Sequence, residues 1–82
     1  MRVLKFGADW CGPCKALDKR LEGFTECPVI KYDVNDIHEE LADKYNIKTI
    51  PVTVLEDDEG NQIRRWVGLF NIQELKDEIS KH

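Results

Sequence analysis

The sequence of 82 residues predicts an α/β fold: one mixed four-stranded sheet with helices on both faces and the element order βαβαββα. Three observations predict it. An apolar run, "VLKFGA", leads directly into a segment with helical spacing and then into a β-rich run, "PVIKYDV", the pattern of a right-handed βαβ unit with parallel strands. Two β-prone runs flank the turn-forming "EDDEGN", as an antiparallel hairpin requires. The last segment, "NIQELKDEISKH", is amphipathic at helical period.

Each element has its own signals. "VLKFGA" reads as a buried strand that ends where the next segment opens at Cys11, with Pro13 tolerated in a first helical turn. Ala16, Leu17 and Leu21 recur at helical spacing, and Gly23 fits a helix stop. Val29, Ile30, Tyr32 and Val34 supply the second strand. In "NDIHEELADKYNI", Asp36 with Glu39 has capping-box spacing, Ile37, Leu41 and Tyr45 form an apolar stripe, and His38 falls on the polar side, where it is expected to be solvated. Val52 to Leu55 and Ile63 to Val67 are the hairpin strands. In the last helix Asn71 and Glu74 form the cap, and Ile72, Leu75 and Ile79 the buried stripe.

Residues 1–82 are expected to form one domain, near the lower end of what folds alone. The chain is 41% hydrophobic and 34% charged, with a formal net charge of −4. That balance offers no basic footprint for nucleic acid or an anionic membrane surface. No stretch approaches the roughly 20 apolar residues needed to span a bilayer. The start "MRVLKFGADW" is short and polar for a signal peptide, so a cytoplasmic protein is expected. Three cysteines, an odd number, argue against a structural disulfide framework and leave the close pair a catalytic or metal role.

That pair lies in "DWCGPCK". Cys11 falls at or just before a helix start, where unpaired backbone N–H groups and the helix dipole favour a thiolate. Cys14 is one helical turn on, so its sulfur can approach that of Cys11. The spacing suits exchange in which Cys11 attacks a substrate disulfide and Cys14 resolves the mixed disulfide. Half a zinc site is the competing reading, but Cys27, His38 and His82 lack zinc-finger spacing and no metal is assigned. A purely structural disulfide would close too short a loop to restrict the unfolded chain much.

"WCGPCK" resembles the active-site motif of the thioredoxin family, "TIPVTV" resembles that family's cis-proline loop, and "VGLFNIQELKDEI" resembles its glycine turn and final helix. Together these cover nearly the whole chain. The resemblance implies a minimal thioredoxin-like fold and a protein-disulfide reductase without organic cofactor or metal. It further implies a flavoprotein reductase as electron donor, disulfide-containing proteins as substrates, and a monomer. A cis Ile50–Pro51 bond facing the cysteines is implied as well. So is a substrate surface drawn from Trp10, Gly12, Pro13, Ile50, Pro51, Gly68 and Leu69.

Departures from the family pattern bear on mechanism. Thioredoxins usually carry a further N-terminal strand and helix, and a longer first helix, so this chain has glutaredoxin-like dimensions. A glutathione-dependent reductase is therefore one alternative, and a binding module with secondary redox activity is another. Six positions before the first cysteine the family has a buried aspartate, and here Lys5 stands there. Lys5 is expected beneath the active-site helix near Cys14, with Lys31 competing for the same region and Asp33 as the nearest anion in sequence; both lysines are candidate modulators of thiol acidity.

The remaining singular residues read more plainly. Trp10 fits an exposed partner contact, with core packing as the alternative. Trp66 suits core or sheet-face packing. Cys27 reads as a small buried hydrophobe. "EDDEGN" reads as a solubilising turn, lacking EF-hand spacing.

Overall fold

A computed structural model describes residues 1–37 and 39–82. The expectation for His38 lies outside them. The order is β1 (Arg2–Gly7), α1 (Gly12–Leu21), β2 (Val29–Asp33), α2 (Glu39–Lys44), β3 (Val52–Glu56), β4 (Gln62–Val67) and α3 (Ile72–Ser80). The four strands form one sheet in the order β2-β1-β3-β4, with β1 parallel to β2 and antiparallel to β3, and β3 antiparallel to β4.

Alternation along β1 divides the core. Val3 joins Leu17, Leu21, Phe24, Leu55, Trp66, Phe70 and Leu75 on the face covered by α1 and α3. Leu4 and Phe6 point the other way, to Tyr45, Val52 and Val54, where Ile37 and Leu41 also pack. Helices thus cover both faces. The stripes expected on α2 and α3 are the ones that pack: Ile72 and Ile79 flank the fully buried Leu75.

Helix ends follow local chemistry. Gly23, with φ +79°, takes the left-handed conformation after α1, which only glycine adopts without steric cost. Asn71 caps α3, its side chain accepting from the Gln73 amide at 2.9 Å. Helix α2 is shorter than the amphipathic segment suggested. The described part begins at Glu39, while Asp36 lies in a preceding turn and donates its amide to the Asp33 carbonyl. At its other end Asn46 takes φ 53°, and the Arg65 guanidinium donates to the Tyr45 and Asn46 carbonyls.

Glu56 departs most from the sequence reading. It extends β3 instead of opening the turn, and it is 1% exposed. Its carboxylate accepts from the Tyr45 hydroxyl at 2.7 Å and from Arg2 Nε. The turn is built on Asp57, whose Oδ1 accepts the Glu59 and Asn61 amides at 2.9 Å each. Those bonds, from Asn61 first, hold the Asp57 carboxyl below its ordinary value.

Candidate active site

Strand β1 ends at Gly7, and a short loop carries the chain from the carboxyl end of this inner strand to α1. Cys11 is the N-cap residue of that helix, with extended backbone angles and its Sγ accepting the Cys14 amide at 3.2 Å. A capping side chain normally supplies an oxygen here; in this chain it supplies the reactive sulfur. Cys11 and Cys14 are joined as a disulfide with Cα atoms 5.2 Å apart. Both are buried, Cys11 at 6% exposure and Cys14 at 1%, so Cys11 is the more exposed residue of the two. Gly12 and Pro13, between them, are exposed, and Pro13 occupies the first turn, where a missing N–H costs nothing.

Ala8, Cys11 and Cys14 form a small cluster against which Val34 and Ile50 pack. Ile50–Pro51 is cis. The Pro51 carbonyl accepts the Gly68 amide at 2.8 Å, tying the loop before β3 to the turn after β4. Gly68 has φ +87°, which a β-carbon would strain.

Trp10 is 70% exposed, so core packing is excluded for it. With Ile50 it lines a groove of about 200 Å³ whose other walls are Val34, Ile47, Lys48 and Thr49. Val34, expected in the second strand, lies just past its end at Asp33, and neither it nor Ile47 was expected at the site; the i, i+3 pairing of Ile47 with Ile50 before a proline was the available signal. Leu69, 43% exposed, and Pro13 are open to solvent but outside that groove, and Val67, 62% exposed, adds apolar surface that the sequence left unassigned. Pro51 is fully buried, so Trp10 and Ile50, not the proline ring, offer the accessible surface.

Lys5 lies where the resemblance put it. Its side chain is buried, and a β-carbon built on Gly7 would stand 2.6 Å from Lys5 Nζ and 3.1 Å from Cys14 Sγ. The ammonium and the sulfur therefore flank the same glycine. The counter-ion is Asp18, not Asp33. Asp18 Oδ1 is 3.0 Å from Lys5 Nζ and 3.6 Å from Lys31 Nζ, whereas Asp33 Oδ1 accepts the Asn35 amide. Asp18 follows Cys14 by four residues, so both project from one face of α1; that spacing was the missed signal. A polar cavity of about 190 Å³ opens beside these groups, lined by Lys5, Gly7, Ala8, Asp9, Asp18, Lys31, Tyr32 and Asp33.

The third cysteine stands apart from this chemistry. Cys27 is half-buried against the larger core cluster, and burial pushes its thiol up from the ordinary value. A raised thiol is a poor nucleophile at neutral pH.

A Cys-x-x-Cys disulfide at a helix start, on a four-stranded sheet of this topology, has matches among known proteins. The sequence model of one family, Thioredoxin, matches residues 1–81. The chain belongs to the thioredoxin family. Thioredoxin from Chlamydia trachomatis is 38% identical over 84 residues, a match that covers 98% of this chain and 80% of that protein. Among solved structures, a mutant thioredoxin from Halobacterium salinarum is similar with a TM-score of 0.84 and 37% identity, over 98% of this chain and 72% of that one. Reduced Schistosoma mansoni thioredoxin pre-protein gives 0.78 and 35%, over 98% and 76%. As a thioredoxin family member with a Cys-x-x-Cys pair at disulfide distance, the protein is a thiol–disulfide oxidoreductase that reduces protein disulfides.

Proposed function

We propose that Cys11 is the attacking sulfur and Cys14 the resolving one, and that a flavoprotein of the thioredoxin-reductase class returns the electrons. The observation that carries the reading is the amide of Cys14 aimed at Cys11 Sγ at the start of α1. In the reduced protein that N–H and the helix dipole stabilise negative charge on Cys11 before any substrate arrives. The Cys11 thiolate attacks a substrate disulfide, forming a mixed disulfide and releasing one substrate sulfur. Cys14 then attacks Cys11 Sγ, the second substrate sulfur leaves, and the Cys11–Cys14 disulfide forms.

A target segment is held in this reading by the groove of Trp10, Ile50, Val34 and Ile47, with exposed Gly12, Pro13 and Leu69, and Gly68, as further contacts outside it. The protein acts as a monomer in a reducing compartment, the cytoplasm. The test is insulin reduction with two alternative donors. Turnover with NADPH and thioredoxin reductase, and little with glutathione and glutathione reductase, supports the proposal. The reverse preference assigns a glutaredoxin-type reaction instead. Target binding that survives replacement of both Cys11 and Cys14 by serine would favour a binding module.

A further inference from the structure

We propose that Lys5 is a positioning residue for the resolving step, its ammonium held by Asp18 beside Cys14 so that Cys14 Sγ is stabilised as a thiolate while substrate is bonded to Cys11. This deepens the reading of Cys14 as the resolving thiol and rests on it. A buried lysine is costly unless its charge is neutralised, and Asp18 supplies the partner. Lys5 is 4% exposed, Asp18 contacts it at 3.0 Å, and a β-carbon built on Gly7 would lie 2.6 Å from its Nζ and 3.1 Å from Cys14 Sγ, so ammonium and sulfur approach the same point.

The other charged groups around Cys14 are weaker competitors for its field. On β2, Lys31 is more than half exposed and its charge is screened by water, while Asp33 is engaged by the Asn35 amide and Tyr32 lines the same cavity. Asp9, in the loop after β1, is exposed, as is Lys15 on α1. Asp18 is shared between two ammonium groups. Asp18 Oδ1 is buried as well, but two ammonium groups share it, so the balance beside the sulfur is positive, and an opposite charge within about 4–6 Å favours the ionised thiol.

The step balances as follows. Cys14 gives up its proton to water in the cavity beside Gly7, and the thiolate attacks Cys11 Sγ. The Cys11–substrate S–S bond breaks as the Cys11–Cys14 bond forms. The electron pair leaves on the substrate sulfur, which takes a proton from solvent. The protein dithiol is oxidised and the substrate disulfide is reduced, two electrons passing between them. The burial of Cys14, at 1% exposure, makes an internal cation more useful than a solvent one.

The experiment is a pH titration of both thiols in the reduced full-length protein, followed by the ¹³Cβ shifts of labelled cysteine, in the parent, Lys5→Met and Lys5→Arg. Because it uses no protein substrate, its result is independent of whether the insulin assay succeeds. The Cys14 transition should move up by about one pH unit in Lys5→Met and stay near the parent in Lys5→Arg, with Cys11 moving less than Cys14 in both. The same change should make the Lys5→Met disulfide harder to reduce in a glutathione redox buffer, because the stabilised form lost is the reduced one. An unmoved Cys14 in folded Lys5→Met, or a shift confined to Cys11, overturns the proposal. Should Lys5→Met fail to fold, Lys5→Gln carries the same expectation and the same refutation.

Discussion

The Cys14 amide donates to Cys11 Sγ across 3.2 Å, so the residue that ends the reaction also prepares the residue that starts it. In the reduced protein this bond and the helix start favour charge on Cys11, while Cys14 lies a turn inside. Limiting iodoacetamide at neutral pH should therefore modify Cys11 first, as read by peptide mass mapping. Faster labelling of Cys14 would reverse the two roles.

Trp10 is an exposed wall of the groove beside the disulfide, and no structural duty explains so large an apolar side chain there. Trp10→Ala should raise KM for a protein disulfide roughly tenfold, equivalent to about 1.4 kcal/mol. Stability and the rate of Cys11 alkylation should hardly change. An unchanged KM places substrate elsewhere.

Glu56 and Tyr45 join β3 to the end of α2 inside the core. Tyr45→Phe removes the hydroxyl and leaves a buried carboxylate oxygen short of a donor, which should cost about 1–3 kcal/mol in chemical denaturation. Burial, and then the bond to Glu56, push the Tyr45 hydroxyl from its usual 10.0 up to about 12. The unfolded chain then loses this proton at lower pH than the folded protein does. The contribution is whole below pH 10 and lost as pH climbs from 10 towards about 12. Parent protein should lose stability over that alkaline range more steeply than Tyr45→Phe, and parallel curves would count against this account.

At Gly7 an added β-carbon would meet both the ammonium of Lys5 and the sulfur of Cys14. Gly7→Ala places a methyl group 2.6 Å from Lys5 Nζ in a confined, ion-paired site, and should destabilise by roughly 1–3 kcal/mol. The loss should shrink in a Lys5→Met background, whose side chain is one atom shorter, and a double-mutant cycle reads the coupling directly. A coupling of zero would mean that the two residues do not meet.

Asn71 accepts the Gln73 amide at the start of α3. Asn71→Ala should cost about 1 kcal/mol by thermal or chemical unfolding and leave disulfide reduction intact. Loss of activity without loss of stability would show that the turn beside Leu69 and Phe70 does more than cap a helix.

The sequence by itself determined the element order, the two-faced sheet and the redox pair, because those depend on local information. Period-2 and helical spacing assign faces, Gly23 and Asn71 mark helix ends, and two cysteines one turn apart meet whatever the rest of the chain does. Even the cis Ile50–Pro51 bond was legible, through the family motif around it. What only the tertiary structure decided were partnerships across elements. Asp18, not Asp33, answers Lys5, because the helix crosses the sheet above that strand position, and adjacency in sequence says nothing about which carboxylate hangs over it. Glu56 looked like one acid among four in a turn, yet the register of β3 with β1 and β4 carries it inside, where Arg2 and Tyr45 satisfy its side-chain oxygens. Val34 and Ile47 join the groove only once the loops after β2 and α2 are brought beside Trp10. A side chain's spacing is written in the chain, but the dielectric and the partners it meets are set by elements far away in sequence, and those decide its chemistry.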